Sequence, residues 1–156
     1  MELLAECLEL ARTASLSLEA AAERLVRRKR TAGERVPGFG HRVHSAVDPR
    51  VDVLFGLARD ARLDGDGIRC ARAIEAALAT AVRPIPLNID GALAAVLYDL
   101  GYPAETAKLI FIVGRTAGLA AHVMEEYTRE RPMRVRIPVA YDGPAEVRGP
   151  VEDMPR

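Results

Sequence analysis

Asp66-Gly67-Ile68-Arg69-Cys70-Ala71-Arg72-Ala73-Ile74-Glu75-Ala76-Ala77-Leu78-Ala79-Thr80-Ala81 sets Ala71, Ile74, Ala77 and Leu78 three or four residues apart, the spacing of one face of an α-helix. The pattern predicts a helix over 66–81, ended by Pro84-Ile85-Pro86. The same period recurs on both sides. Toward the N-terminus, Leu3, Leu4, Cys7, Leu8 and Ala11 form an apolar stripe with no capping residue or leader before it, so the chain is expected to begin inside a structure. Ser17 then stands where an N-cap belongs, ahead of Ala21, Ala22, Leu25 and Val26. In Asp48-Pro49-Arg50, Asp48 can accept backbone N–H bonds and Pro49 at the first helical position loses none; Val51, Leu54, Ala58 and Ala61 are the expected buried face. Toward the C-terminus, a helix is predicted from Asp90 through Leu100, with Gly101 at a left-handed cap. Pro103 opens another, through Leu109, Ile110, Val113, Ala117, Ala120 and Ala121 to about Tyr127. Gly114 and Gly118 inside it suggest close helix packing or backbone approach to a ligand. From Pro132 the chain turns irregular, with a candidate short strand at Val135-Arg136-Ile137. The class is all-α.

Composition narrows the function. The 156 residues carry 22 Lys+Arg and 22 Asp+Glu, a formal net charge of zero, and 49% are hydrophobic. That composition suits one folded domain of ordinary size and excludes disorder as the whole answer. Balanced charge gives no electrostatic warrant for nucleic acid or an acidic membrane. Arg27-Arg28-Lys29-Arg30 reads as cations opposing the negative end of a helix dipole; a nucleic-acid-binding helical module using Arg24 and this run is the remote alternative. Cys7 and Cys70 make neither a disulfide framework nor a zinc cluster, no metal site is expected, and free thiols point to the cytoplasm. No apolar run is read as approaching the roughly 20 residues that span a bilayer, so no membrane partner is expected. Lys29 and Lys108 are the only lysines, so nearly all the positive charge is guanidinium, the group that grips carboxylates and phosphates bidentately.

Three segments place ionisable groups beside backbone breakers. In Pro37-Gly38-Phe39-Gly40-His41-Arg42, two glycines permit a tight turn and close ligand approach, and a histidine and an arginine leave it together. Pro86-Leu87-Asn88-Ile89-Asp90 puts an acid at the start of an apolar helix, where it is either a cap or a base. Gly114-Arg115 sets a cation in an otherwise apolar helix, which if buried requires an anionic partner.

Taken in order, these segments resemble the C-terminal half of the citrate synthase family, including its citryl-CoA lyase-like members. The matching text is Pro37-Gly38-Phe39-Gly40-His41-Arg42 with Asp48-Pro49-Arg50, then Asn88-Ile89-Asp90, then Arg115-Thr116-Ala117-Gly118 with Ala121-His122, then Arg131-Pro132. Tyr141-Asp142-Gly143-Pro144 is similar to the family's closing turn, and Pro132-Met133-Arg134 is more like the lyase-type members.

The resemblance implies a helical citrate synthase-like small domain over residues 1–114, then a C-terminal helix and tail over 115–156 that normally pack on a large domain. It implies His41 as the donor to a substrate carbonyl or hydroxyl and Asp90 as the general base at the acetyl-CoA methyl group. Arg50, Arg115 and Arg131 become carboxylate ligands, Arg131 reaching a partner subunit's site, with Arg134 as an alternative register. Gly38, Phe39, Gly40 and Asn88 would lie along CoA. The substrates implied are acetyl-CoA or citryl-CoA with oxaloacetate or citrate, in condensation or cleavage, with no tightly bound cofactor and a homodimeric assembly. The bases for these roles are physical: carboxylates leave water only for matched cations, each charge-assisted bond contributing about 1.5–3 kcal/mol, and a carboxylate beside apolar residues is a stronger base than a solvated one.

The pattern also departs from the family's. Family enzymes are longer and place a further catalytic histidine in a His-Gly-Gly-Ala-like segment upstream of the matching region, so the chain is expected to be N-terminally truncated. His44 and His122 are read as structural. His44-Ser45-Ala46 stands where members often carry a basic residue near the CoA phosphates. A non-catalytic dicarboxylate- or CoA-binding small-domain remnant or subunit is therefore the second expectation.

Overall fold

The structure, a computed structural model, describes residues 1–44 and 46–129; Arg131, Arg134, the candidate strand at 135–137 and the turn at 141–144 lie outside the described residues. The chain divides into two compact units, Met1–Leu119 and Ala120–Arg156. Among the described residues there are six helices: α1 (Glu2–Thr13), α2 (Leu18–Thr31), α3 (Pro49–Asp60), α4 (Asp66–Ala81), α5 (Ile89–Asp99) and α6 (Ala104–Arg129). The fold class is all-α as the periodicity predicts.

The core forms around α4, which packs against α1, α2 and α5, while α3 packs on α5. Ile74 on α4 and Leu25 and Val26 on α2 are fully buried, each side chain contributing about 1.5–3 kcal/mol by leaving water. Caps follow the local chemistry. Ser17 Oγ accepts the Ala20 N–H at 3.2 Å. Asp48 caps α3 with Pro49 at its first position. The N-terminus of α4 is served from elsewhere in the chain: the Asp99 carboxylate, at the end of α5, accepts the N–H groups of Gly67 at 2.6 Å and Ile68 at 3.1 Å. No short-range motif encodes that cap.

Several expectations are corrected. On α3 the buried residues are Val51, Phe55 and Ala58; Leu54 is half-buried and Ala61 exposed, because α3 ends before Ala61 and turns its Phe55 face inward. On α6 no residue is buried, although Leu109, Ile112, Val113, Leu119, Val123, Met124 and Tyr127 are large and apolar. A side chain placed on Gly114 or Gly118 would meet nothing within 4 Å, so these glycines do not serve close helix packing among the described residues. By length and composition alone α6 could cross a membrane, with a mean hydropathy of 1.3 over its most apolar 18-residue window. The longest stretch of α6 without Lys, Arg, Asp or Glu is 116–124, between Arg115 and Glu125.

The basic run on α2 is held within the fold. Arg28 pairs with Glu6, Lys29 pairs with Glu34 at 2.6 Å, and Arg30 donates to the Ala81 carbonyl at the end of α4. The Arg28 and Arg30 contacts tie α2 to α1 and α4 and give these two residues a structural task.

Candidate functional site

The turn Gly38-Phe39-Gly40 is built against the start of α5. Gly38 and Gly40 have φ of +91° and +78°, a region that favours glycine. Phe39 and Leu87 form an isolated antiparallel bridge. Around it, the Gly40 N–H donates to the Pro86 carbonyl at 2.7 Å and the Asn88 N–H to the Gly38 carbonyl at 3.0 Å. A Cβ on Gly91 would lie 2.4 Å from the Gly38 oxygen, so the turn and helix approach each other only because both positions lack side chains.

Asn88 completes this junction. Its Oδ1 accepts the N–H groups of Asp90 and Gly91, both at 3.0 Å, and its Nδ2 donates to the Gly40 carbonyl at 2.7 Å. Asn88 is therefore the cap of α5, and the cap reading of Asp90 is set aside. The Asp90 carboxylate is exposed in the first helical turn, rather than enclosed by apolar neighbours as the sequence suggested.

The arginine of Asp48-Pro49-Arg50 is clamped. Asp48 is 1% exposed, and its carboxylate accepts four bonds: Oδ1 from the Arg50 backbone N–H at 3.2 Å and Nε at 2.8 Å, Oδ2 from Arg50 Nη2 at 2.7 Å and the Ile89 N–H at 3.0 Å. The Arg50 side-chain bonds, chiefly, and the two backbone donors hold the Asp48 carboxyl well below the usual carboxylate range, outweighing the desolvation that opposes ionisation. Because folding depresses this pKa, the stability it contributes is present above the unfolded-state value near about pH 4 and is lost as pH falls below it. Asp48→Asn is thus expected to be less stable at neutral pH and to lose less stability between about pH 5 and pH 3 than the parent. Urea unfolding at the two pH values measures this; equal acid sensitivity in the two proteins would contradict it.

His41 is exposed, and its Nδ1 accepts the backbone N–H groups of Val43 and His44, both at 3.1 Å. An accepting Nδ1 leaves the proton of the neutral ring on Nε2, which becomes the outward donor. The His44 ring lies 4.8 Å away, centroid to centroid.

Two clefts meet at α5 and the first half of α6. One, of about 380 Å³, is lined by Gly38, Phe39, Asp90 and Lys108 over a floor that includes Leu4 and Leu87. The other, of about 340 Å³, is lined by Arg50 and Arg115 with Ile89, Leu54 and the backbones of Gly114 and Gly118. Leu93 and Phe111 line both and form the wall between them. Arg115 is exposed, with its guanidinium carbon 5.4 Å from the Phe111 ring centroid and no carboxylate within ion-pair distance among the described residues. Arg115 is therefore not buried, and the anionic partner that burial would require is not called for by its surroundings. Gly114 and Gly118 carry no side chain, which leaves the space beside Arg115 open.

The structure thus brings Arg50 and Arg115 to one cleft, and Gly38, Phe39 and Asp90 to its neighbour. His41, Gly40 and Asn88 line neither, and Arg131 is outside the described residues. Residues 2–136 match the family model of the citrate synthase C-terminal domain. The chain belongs to the citrate synthase family. It is 36% identical over 107 residues to the citrate synthase of Haloferax volcanii, covering 67% of this chain and 28% of that protein. It is 34% identical over 125 residues to citrate synthase 2 of Bacillus subtilis, covering 79% and 33%. The structure of citryl-CoA lyase from Hydrogenobacter thermophilus superposes with a TM-score of 0.66 at 28% identity, covering 99% of this chain and 60% of that one. The chain therefore spans about a third of the length of these curated relatives.

Within this citrate synthase-family fold, the sequence reading missed three features of the site. Asp48 was read only as a helix cap, although Asp-Pro-Arg places its carboxylate two residues from a guanidinium, a spacing that could have suggested the clamp. Lys108, in the same cleft as Asp90, went unnoticed for want of any motif. Phe111 was hidden in the apolar run of α6.

Proposed function

We propose that this chain carries the carboxylate-binding and proton-transfer part of a citrate synthase-type site, acting on an acyl-CoA thioester and a dicarboxylate, by condensation to a citrate-like product or by cleavage of citryl-CoA. The observation that carries the reading is the pair of adjoining clefts, one with two arginines and, among the described residues, no carboxylate on Arg115, the other with the Asp90 carboxylate beside a glycine turn. Arg50 and Arg115 hold the substrate carboxylates. Asp90 takes a proton from the carbon alpha to the thioester, or returns it in cleavage. His41 donates from Nε2 to the substrate oxygen that gains negative charge, its tautomer already set by the two backbone N–H groups on Nδ1. Gly38 and Phe39 flank the thioester, and Gly40 and Asn88 hold their turn. Arg131 serves a partner subunit's site in a homodimer, and residues 115–156 pack on the remainder of the family fold, which would cover the apolar side of α6. No tightly bound cofactor takes part, and the protein works in the cytoplasm.

A second reading, carboxylate or CoA binding without turnover, draws on His41 standing outside both clefts. Calorimetry with citrate, oxaloacetate and CoA, alongside condensation and citryl-CoA cleavage assays, separates the two. Binding with turnover is expected for the first reading; binding alone moves the assignment to the second, and absence of both overturns each.

A further inference from the structure

The Asp48 carboxylate does more than a helix cap requires. Capping α3 takes one side-chain oxygen accepting one N–H, yet Asp48 accepts four donors, two of them from the Arg50 guanidinium and one from Ile89 on another helix. A guanidinium has two edges that can grip a carboxylate, Nε with Nη2 along the side and Nη1 with Nη2 across the end. Asp48 fills the side edge. The remaining donors of Arg50 are both protons of Nη1 and the outer proton of Nη2, and Arg50 lines the cleft it shares with Arg115. The same Oδ2 that takes Nη2 also takes the Ile89 N–H, immediately before Asp90.

We propose that Asp48 is a positioning residue for both halves of the site. By holding the side edge of Arg50 it presents the end edge, next to Arg115, to one carboxylate of the ligand; by accepting the Ile89 N–H it fixes the start of the helix that carries Asp90. The inference rests on the reading of the Arg50/Arg115 cleft as a di- or tricarboxylate site. It assigns that ligand an end-on grip at Arg50, in which a carboxylate bridges Nη1 and Nη2.

Charge and positioning predict opposite signs. Neutralising an anion next to Arg50 would, by Coulomb attraction alone, tighten the binding of citrate. Loss of the clamp would loosen it, because the guanidinium is free to turn away. Citrate binding is measured by calorimetry for the parent, Asp48→Asn, Asp48→Ser, Arg50→Gln and the double variant Asp48→Asn with Arg50→Gln, with thermal unfolding confirming that each is folded at the assay temperature. Asp48→Ser keeps a capping oxygen for α3 and carries the test if Asp48→Asn does not fold. Weakening by about tenfold or more is expected in each Asp48 variant, with no further loss when Asp48→Asn is added to Arg50→Gln. Unchanged or tighter binding in both Asp48 variants overturns the proposal, as does an equal loss in the Arg50→Gln background, which would mean that Asp48 does not act through Arg50. A parent protein that binds no citrate overturns the carboxylate reading of the cleft and the proposal with it.

Discussion

Asp90→Asn is expected to lower turnover by about 10²–10⁴-fold, the usual contribution of a positioned general base, while leaving the melting temperature within a degree or two. The two halves of this expectation come from the same hydrogen bonds. Asn88, not Asp90, satisfies the first N–H groups of α5, so the 90 position can lose its charge without uncapping the helix. Asparagine has nearly the same shape as aspartate, so the turn against Gly38 is not disturbed, but a neutral amide cannot accept the proton from a carbon acid. Citrate affinity, which depends on Arg50 and Arg115 across the Leu93–Phe111 wall, should change by less than about threefold, because those cations lie in the neighbouring cleft. Steady-state rates of condensation and cleavage, with unfolding and calorimetry on the same preparation, provide the comparison. An unchanged rate removes Asp90 from the chemistry; a rate loss that tracks a collapse in stability makes it structural.

Gly91→Val is expected to cost about 3 kcal/mol or more of stability and to weaken ligand binding in both clefts. A Cβ at position 91 meets the Gly38 carbonyl oxygen at 2.4 Å and the Leu87 side chain at 2.6 Å. The first contact is with backbone, which cannot rotate aside, and valine adds two methyl groups where even alanine does not fit. The strain has one outlet, separation of the 37–40 turn from α5, and that breaks the Asn88 bonds to Gly38 and Gly40. Valine is a better helix former than glycine by a few tenths of a kcal/mol, which is small against the clash. Denaturant unfolding reads the stability. A variant as stable as the parent would show that the turn is not seated on α5 by these glycines.

Much of the framework was legible because it is local. Ser17, Asp48 with Pro49, and the spacing across 66–81 each specify a helix boundary or face within a few residues, and α2, α3 and α4 start where those signals place them. What was not legible depends on residues distant in sequence. Asp99 caps a helix more than thirty positions upstream. Phe55 rather than Leu54 is buried on α3, with the guanidinium of Arg72, on α4, over its ring. The apolar neighbours of Arg115 left its burial open, and α6 leaves all of them unburied, so apolar sequence does not mean apolar surroundings. For the candidate site, the motifs single out Asp90, Arg50, Arg115 and the glycine turn, and the structure distributes them between two adjoining clefts. The Asn88 assignment illustrates the difference between location and task. It was expected, with the glycine turn, to lie along CoA, whereas its side chain is occupied with two helix N–H groups and one turn carbonyl.

The near absence of lysine acquires a meaning at one position. Arg50 already gives two donors to Asp48 and retains others on the open edge of the same rigid plane. A lysine there would offer a single point of charge, and its ammonium could settle against Asp48 or against a ligand but could not hold both in a fixed plane. Residue 50 is therefore a place where the two basic residues are not interchangeable, whatever governs their use over the rest of the surface. In this fold a buried acid beside a cation does not cancel its usefulness; it decides which of the cation's edges is left to do the binding.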